Sequence, residues 1–339
     1  MDLGPERPIC TRCVLPHSPP DITLDAEGVC SVCRAEERRH AAGEDAPLLE
    51  TDFVRMLQKH RGKGTHDCLV MCSGGKDSTA ALYYMKRRYR MNPLAFMFDH
   101  GFEQQDAIDN VRRAADRLGV DLLFYRTDAI RDLFRKMVET RSKAVICHPC
   151  SIWYMSLTYE MAARFDIPLI IAGWTKGQSA RPGMMTKCAC NVDAPEYASM
   201  GKATKEFFAS LKEDPRFKDF PTSMEEVVAR AGRRHHATVL SPHWFLDDAA
   251  EDYVEVIRRE LGWQPPRESY PGGSTNCDMN FFSVYNSMRW YGYTHYHVEM
   301  SKLVRQGLMT RDQALELLRI DFGDAKLQQI ADRLGTRID

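Results

Sequence analysis

Residues 73–78 read SGGKDS, directly after the apolar run DCLVMC (67–72) and directly before a helical stretch. Glycines at such a junction let the backbone come close to an anion, and free amides at a helix start favour negative charge. Ser73 and Ser78 add hydroxyl donors and Lys76 adds a point charge. Asp77 is placed to cap the helix or to hold a metal. The chemistry on offer is oxyanion capture. Ser73, Gly74, Gly75, Lys76, Asp77 and Ser78 are therefore the candidate phosphate-binding residues, with Lys76 and Asp77 the candidate catalytic ones. A Walker loop is a different device, because it needs G-x-x-x-x-G-K-[ST], and here Gly74 and Gly75 stand next to Lys76.

The second chemical signal is thiol. Eleven cysteines occur in 339 residues, an odd number that fits metal or redox chemistry better than a disulfide framework. Cys10, Cys13, Cys30 and Cys33 form two C-x-x-C knuckles, the four-thiolate set that zinc prefers and that lets a very short unit fold. An iron–sulfur centre or a rubredoxin-like iron site is the alternative. Cys147 and Cys150, in AVICHPCSIWYM, open a helix whose N-terminus favours thiolate. With Cys277 they make three thiols able to hold a [4Fe–4S] cluster with one open iron, or zinc with one open position, and Cys147, Cys150 and Cys277 join Lys76 and Asp77 as candidate catalytic residues. A redox or persulfide pair and plain buried thiols remain alternatives. Cys188 and Cys190 are weaker candidates, and Cys68 and Cys72 read as core. His295 and His297, at i, i+2, suit one face of a strand or a loop, and a packed aromatic cluster explains them better than metal binding. YPGGS (270–274) reads equally as an anion-binding turn or an ordinary one.

These groups need a frame. DCLVMC (67–72), PLAFMFD (93–99), VDLLFYR (120–126) and IPLIIAG (167–173) are short apolar runs, and amphipathic stretches alternate with them. That alternation predicts βαβ units and a parallel sheet with ligands at the carboxyl ends of its strands. A helix is expected over 77–90, another at EQQDAIDNVRRAADRLG, and one at SIWYMSLTYEMAARF. Beyond Thr175 the pattern turns to loops and separate helices, one of which starts with a Thr310-x-x-Gln313 capping box. The expected division is a cysteine module at 1–45, a nucleotide domain at 60–180 and an α-rich region at 181–339 that completes the site.

Composition narrows the class. Forty-six basic residues oppose 47 acidic ones, for a net charge of −1. Dedicated nucleic-acid binders carry a positive excess, so a small-molecule substrate is favoured. KRRYR (86–90) and RRHH (233–236) read as solvated surface. No apolar run reaches the roughly 20 residues a bilayer needs, and the N-terminus lacks a signal-peptide core. A cytoplasmic protein without a membrane partner is expected, and a homodimer is compatible with the sequence.

With the loop placed after a first parallel strand, SGGKDS resembles the PP-loop of the ATP pyrophosphatase superfamily, adenine nucleotide α-hydrolase-like in fold. The resemblance implies a loop that grips the departing β,γ-pyrophosphate while a substrate carbonyl oxygen attacks the α-phosphorus of ATP. Mg2+ would accompany the nucleotide. It also implies adenosine over the strand ends, with Phe98 and Asp99 in FDHGF as contacts beside Met97, and Gly173 and Thr175 near the α-phosphate. The order CTRCVLP…GVCSVC, SGGKDS, PLAFMFDHGF, C-x-x-C, IPLIIAG and a late cysteine before GLMTRDQALELL resembles the N-acetyl sugar amidotransferase family of surface-polysaccharide biosynthesis. That resemblance covers residues 8 to about 322. It implies an amide carbonyl on a sugar-type substrate, adenylated and then displaced by ammonia from a separate glutaminase subunit. Some PP-loop thiolases use a C-x-x-C plus a distant cysteine for a [4Fe–4S] cluster, so thiolation of a small molecule or tRNA is the alternative. The Asp that tRNA thiolases carry after the fourth strand is absent, with Gln178 nearby. A non-catalytic nucleotide-binding subunit is a third class, and the intact loop argues against it.

Overall fold

The computed structural model describes residues 3–41, 48–178, 195–273 and 277–338. Strands β1 (Cys68–Met71), β2 (Pro93–Asp99), β3 (Asp121–Arg126), β4 (Leu169–Ile171) and β5 (Thr238–Leu240) form one sheet in the order β3-β2-β1-β4-β5. Every pairing is parallel. The α/β class and the four expected strands stand. The fifth was missed: TVL is three residues long, too short for a periodic signal.

Helices α1 (Ser31–Ala41) and α2 (Glu50–Gln58) lead into the sheet. Four more, α3 (Lys76–Tyr83), α4 (Gln105–Leu118), α5 (Arg131–Glu139) and α6 (Cys147–Arg164), link β1 to β4. Between β4 and β5 come α7 (Ala198–Leu211) and α8 (Met224–Gly232). After β5 run α9 (Ala250–Leu261), α10 (Met279–Tyr291), α11 (His295–Arg305), α12 (Arg311–Leu317) and α13 (Asp324–Leu334). The helix expected over 77–90 is α only to Tyr83 and continues as a π-turn over Tyr84–Arg88. No helix among the described residues is long and apolar enough to cross a membrane.

Side chains alternate across a strand, so each strand feeds two cores. Leu69, Met71, Leu94, Phe96, Phe98 and Ile170 pack on one side with α5, α6 and α10. Cys68, Val70, Ala95, Met97, Leu169 and Ile171 pack on the other with α2, α3, α4 and α9. Cys68 is thus core, as expected, and Cys72 lies buried just past the strand end. Sheets covered on both faces bind ligands where the strand order reverses. That reversal falls between β1 and β4.

The N-terminal knuckles are not a separate appendage. Cys10, Cys13, Cys30 and Cys33 share a cluster with Tyr197, Met200, Tyr291, Tyr293 and Val298. The Val14 amide donates to Ser301 Oγ at 3.3 Å, and the Ser199 amide donates to Asp21 at 2.9 Å. The cysteine module is therefore packed against α7 and α11.

Candidate active site at the strand ends

The SGGKDS turn follows β1 and becomes the first turn of α3. Gly74 has φ +78, and a Cβ there would lie 2.2 Å from the Ala107 carbonyl oxygen. Only glycine fits, because the turn is pressed on the start of α4. Gly173, at the end of β4, meets Ser78 as tightly: a Cβ there would stand 2.6 Å from the Ser78 nitrogen. The reversal point is thus closed around backbone amides. Ser78 Oγ takes the Ser73 amide at 3.1 Å and donates to Gly75 O at 3.2 Å, which fixes the turn from inside.

Lys76 Nζ rests on Asp77, 2.9 and 2.8 Å from its two oxygens. Burial disfavours both charges. Lys76 nevertheless draws the Asp77 carboxyl below its usual range, and Asp77 raises Lys76. Tyr253 OH donates to Asp77 Oδ1, and His243 Nε2 donates to the Asp77 carbonyl at 2.9 Å. Burial keeps His243 below its ordinary value, against the pull of Asp77. Neither Tyr253 nor His243 stands out in the sequence. They lie 176 and 166 residues from Asp77.

Helix α11 adds a carboxyl. Glu299 packs on Gly177 and faces Lys76, and burial pushes it up to about 7 from its ordinary 4.5. An acid raised in this way binds more protons folded than unfolded, so stability falls as pH rises from about 4.5 through 7. Glu299→Gln is expected to flatten that slope in denaturant melts taken across this window. An unchanged slope would contradict the raised carboxyl.

The remaining expected contacts are placed as follows. Phe98 and Asp99 end β2 and are buried. Phe98 stacks on Tyr154, with ring centroids 5.6 Å apart. Asp99 caps its own turn by accepting the Gly101 amide at 2.7 Å. The Thr175 amide donates to Gln178 Oε1 at 3.3 Å.

The four N-terminal thiols lie within 4.8 Å of one another and are buried. Their cross pairs stand at 3.9 Å (Cys10–Cys33) and 3.6 Å (Cys13–Cys30). Zn–S bonds of about 2.3 Å set sulfur–sulfur edges of about 3.8 Å in a tetrahedron. Backbone amides of Cys30 and Cys33 donate to the sulfurs, and the Arg311 guanidinium holds the Cys10 and Cys13 carbonyls. The set fits one tetrahedral ion.

Cys147, Cys150 and Cys277 are arranged differently. Among the described residues the second group of donors within 4.8 Å is His100, Glu103 and Cys277. Cys277 Sγ is 3.5 Å from His100 Nε2, and Glu103 is 3.2 Å from the same nitrogen. Cys150 also faces His100. The Cys147 thiol donates to Ser283 Oγ at 3.4 Å. His100 and Glu103 were not foreseen. The Glu103–Cys277 bridge that brings them together joins residues about half the chain apart. His295 and His297 begin α11, and His297 closes a capping box with Thr294, so the strand-or-loop reading is corrected to a helix. Cys188 and Cys190 lie outside the described residues.

The family described as "Queuosine biosynthesis protein QueC" matches over residues 67–152, the span from β1 into α6. The uncharacterized protein MJ1599 of Methanocaldococcus jannaschii is 30% identical over 317 residues, 94% of this chain and 95% of that protein. Among solved structures, the U34-tRNA thiolase NcsA from Methanococcus maripaludis with its [4Fe–4S] cluster is 15% identical, with TM-score 0.38, and covers 95% of this chain and 94% of that one. The NH3-dependent NAD synthetase from Campylobacter jejuni is 18% identical, with TM-score 0.33, and covers 54% and 89%.

Proposed function

We propose, from the premise that this chain belongs to the same family as MJ1599 and carries a QueC-like PP-loop segment, that it is an ATP pyrophosphatase that adenylates a substrate carbonyl and then transfers nitrogen to it. The observation that carries the reading is the turn itself: Gly74 pressed on the Ala107 backbone, with Lys76 and Asp77 opening α3 at the sheet's reversal point.

The carbonyl oxygen attacks the α-phosphorus of ATP, the bond from that phosphorus to the bridging oxygen breaks, and pyrophosphate leaves. Amides of the turn and Lys76 receive its charge, which grows as the bond breaks. Asp77 is the residue that would hold Mg2+, and that ion would supply charge neutralisation for the diphosphate. Ammonia then adds to the activated carbon. AMP departs with the former carbonyl oxygen, and a proton is lost from nitrogen. A sugar-type acceptor and a glutaminase subunit as the ammonia source complete the reading. Cys10, Cys13, Cys30 and Cys33 hold a structural zinc.

A second reading replaces ammonia with sulfide. It is favoured by the convergence of Cys150 and Cys277 on His100 at the carboxyl end of β2. Cys150 and Cys277 would then supply thiolates to an iron–sulfur cluster, and Cys147 would join them on leaving its bond to Ser283.

Incubation with ATP and acceptor, followed by nucleotide analysis, tests the shared first step. AMP and pyrophosphate are expected, and Lys76→Met should reduce their formation by about 100-fold, as expected for loss of a positioned transition-state charge. ADP with orthophosphate would refute the reading.

A further inference from the structure

Trp263 and Asn110 are uncharged and buried, and both end on one carbonyl of the turn. Trp263 follows α9 and donates Nε1–H to Gly74 O at 2.9 Å. Asn110, on α4, donates Nδ2–H to the same oxygen at 3.2 Å. Both side chains are held in turn. Asn110 Oδ1 accepts the Gln264 amide at 3.0 Å and Arg113 at 2.7 Å, and the Arg258 guanidinium lies over the Trp263 ring at 5.7 Å.

A carbonyl oxygen has two lone pairs, so Gly74 O is saturated from one side. In a planar trans peptide the carbonyl and the following N–H point in opposite directions. Pinning Gly74 O therefore fixes where Gly75 N–H points. Its internal acceptor, Ser73 Oγ, is 3.4 Å away, long for such a bond. A contact that long is readily exchanged for an incoming anion. A glycine at φ +78 gives little resistance of its own to rotation of the adjoining peptide, so the direction has to be imposed from outside.

We propose that Trp263 and Asn110 are positioning residues that aim the Gly75 amide at the diphosphate of the bound nucleotide. The proposal rests on the reading of the turn as a pyrophosphate holder. It assigns to the region after β5 a share in nucleotide recognition that the SGGKDS motif alone does not contain.

Calorimetric titration of the full chain with pyrophosphate, ATP and AMP separates the outcomes. Trp263→Phe keeps the apolar ring and removes the donor. It is expected to weaken pyrophosphate and ATP about tenfold, the scale of one lost hydrogen bond to a charged group, while AMP affinity holds and the melting temperature falls only by the cost of the smaller buried ring. Unchanged pyrophosphate affinity overturns the proposal, and so does an equal loss for AMP, which would mark general collapse of the site. Asn110→Ser, which shortens the second donor, is read in the same three titrations should Trp263→Phe fail to fold. Failure of the wild-type chain to bind pyrophosphate would instead sink the functional reading beneath the proposal.

Discussion

Gly74→Ala is expected to abolish AMP formation in a chain that still folds. The new Cβ would fall 2.2 Å from the Ala107 oxygen and 2.7 Å from its carbonyl carbon and Cα. All three are backbone atoms within α4, so no side chain can swing aside. The left-handed φ adds about 1–2 kcal/mol for any residue with a Cβ. The turn must open or α4 must move, and either displaces the amides by about the margin that ruins a preorganised site. Gly119→Ala is the control. Its φ is +58, and nothing lies within 4 Å of the added methyl, so it should cost stability alone and leave ATP cleavage intact. If both variants cleaved ATP equally well, the turn would not be the catalytic element.

Loss of the N-terminal ion should have the largest effect on stability. Cys10→Ser, or exhaustive chelation, is expected to lower the melting temperature by more than about 10 °C, since thiolate-bound zinc can supply about 10–16 kcal/mol to small folds. The effect should reach the site. The knuckles pack on Tyr293 and Val298, and Val14 is bonded to Ser301 on α11, the helix that carries Glu299. Metal analysis beside the melt should show one ion fewer in the variant. A variant with unchanged melting and unchanged metal content would remove the four-thiol site from the account.

The parts of this protein that the sequence determined alone are those written within a few neighbouring residues. SGGKDS specifies its own turn, because glycine freedom, helix-start amides and hydroxyls act over one loop. The C-x-x-C spacing sets two thiols on one knuckle, and apolar runs of six and seven residues specify parallel strands. Thr310 and Gln313 cap α12 as their spacing predicts. The tertiary structure decided which distant groups complete these devices. Trp263 reaches Gly74 across 189 residues, and Tyr253 reaches Asp77 across 176. Glu299, on α11, meets Lys76, on α3. Cys277 faces His100 and Glu103 through one isolated bridge. Such partners are chosen by the packing of apolar faces. A buried donor or carboxyl on an amphipathic helix has the same local pattern whether its neighbour is water, a core side chain or a catalytic loop.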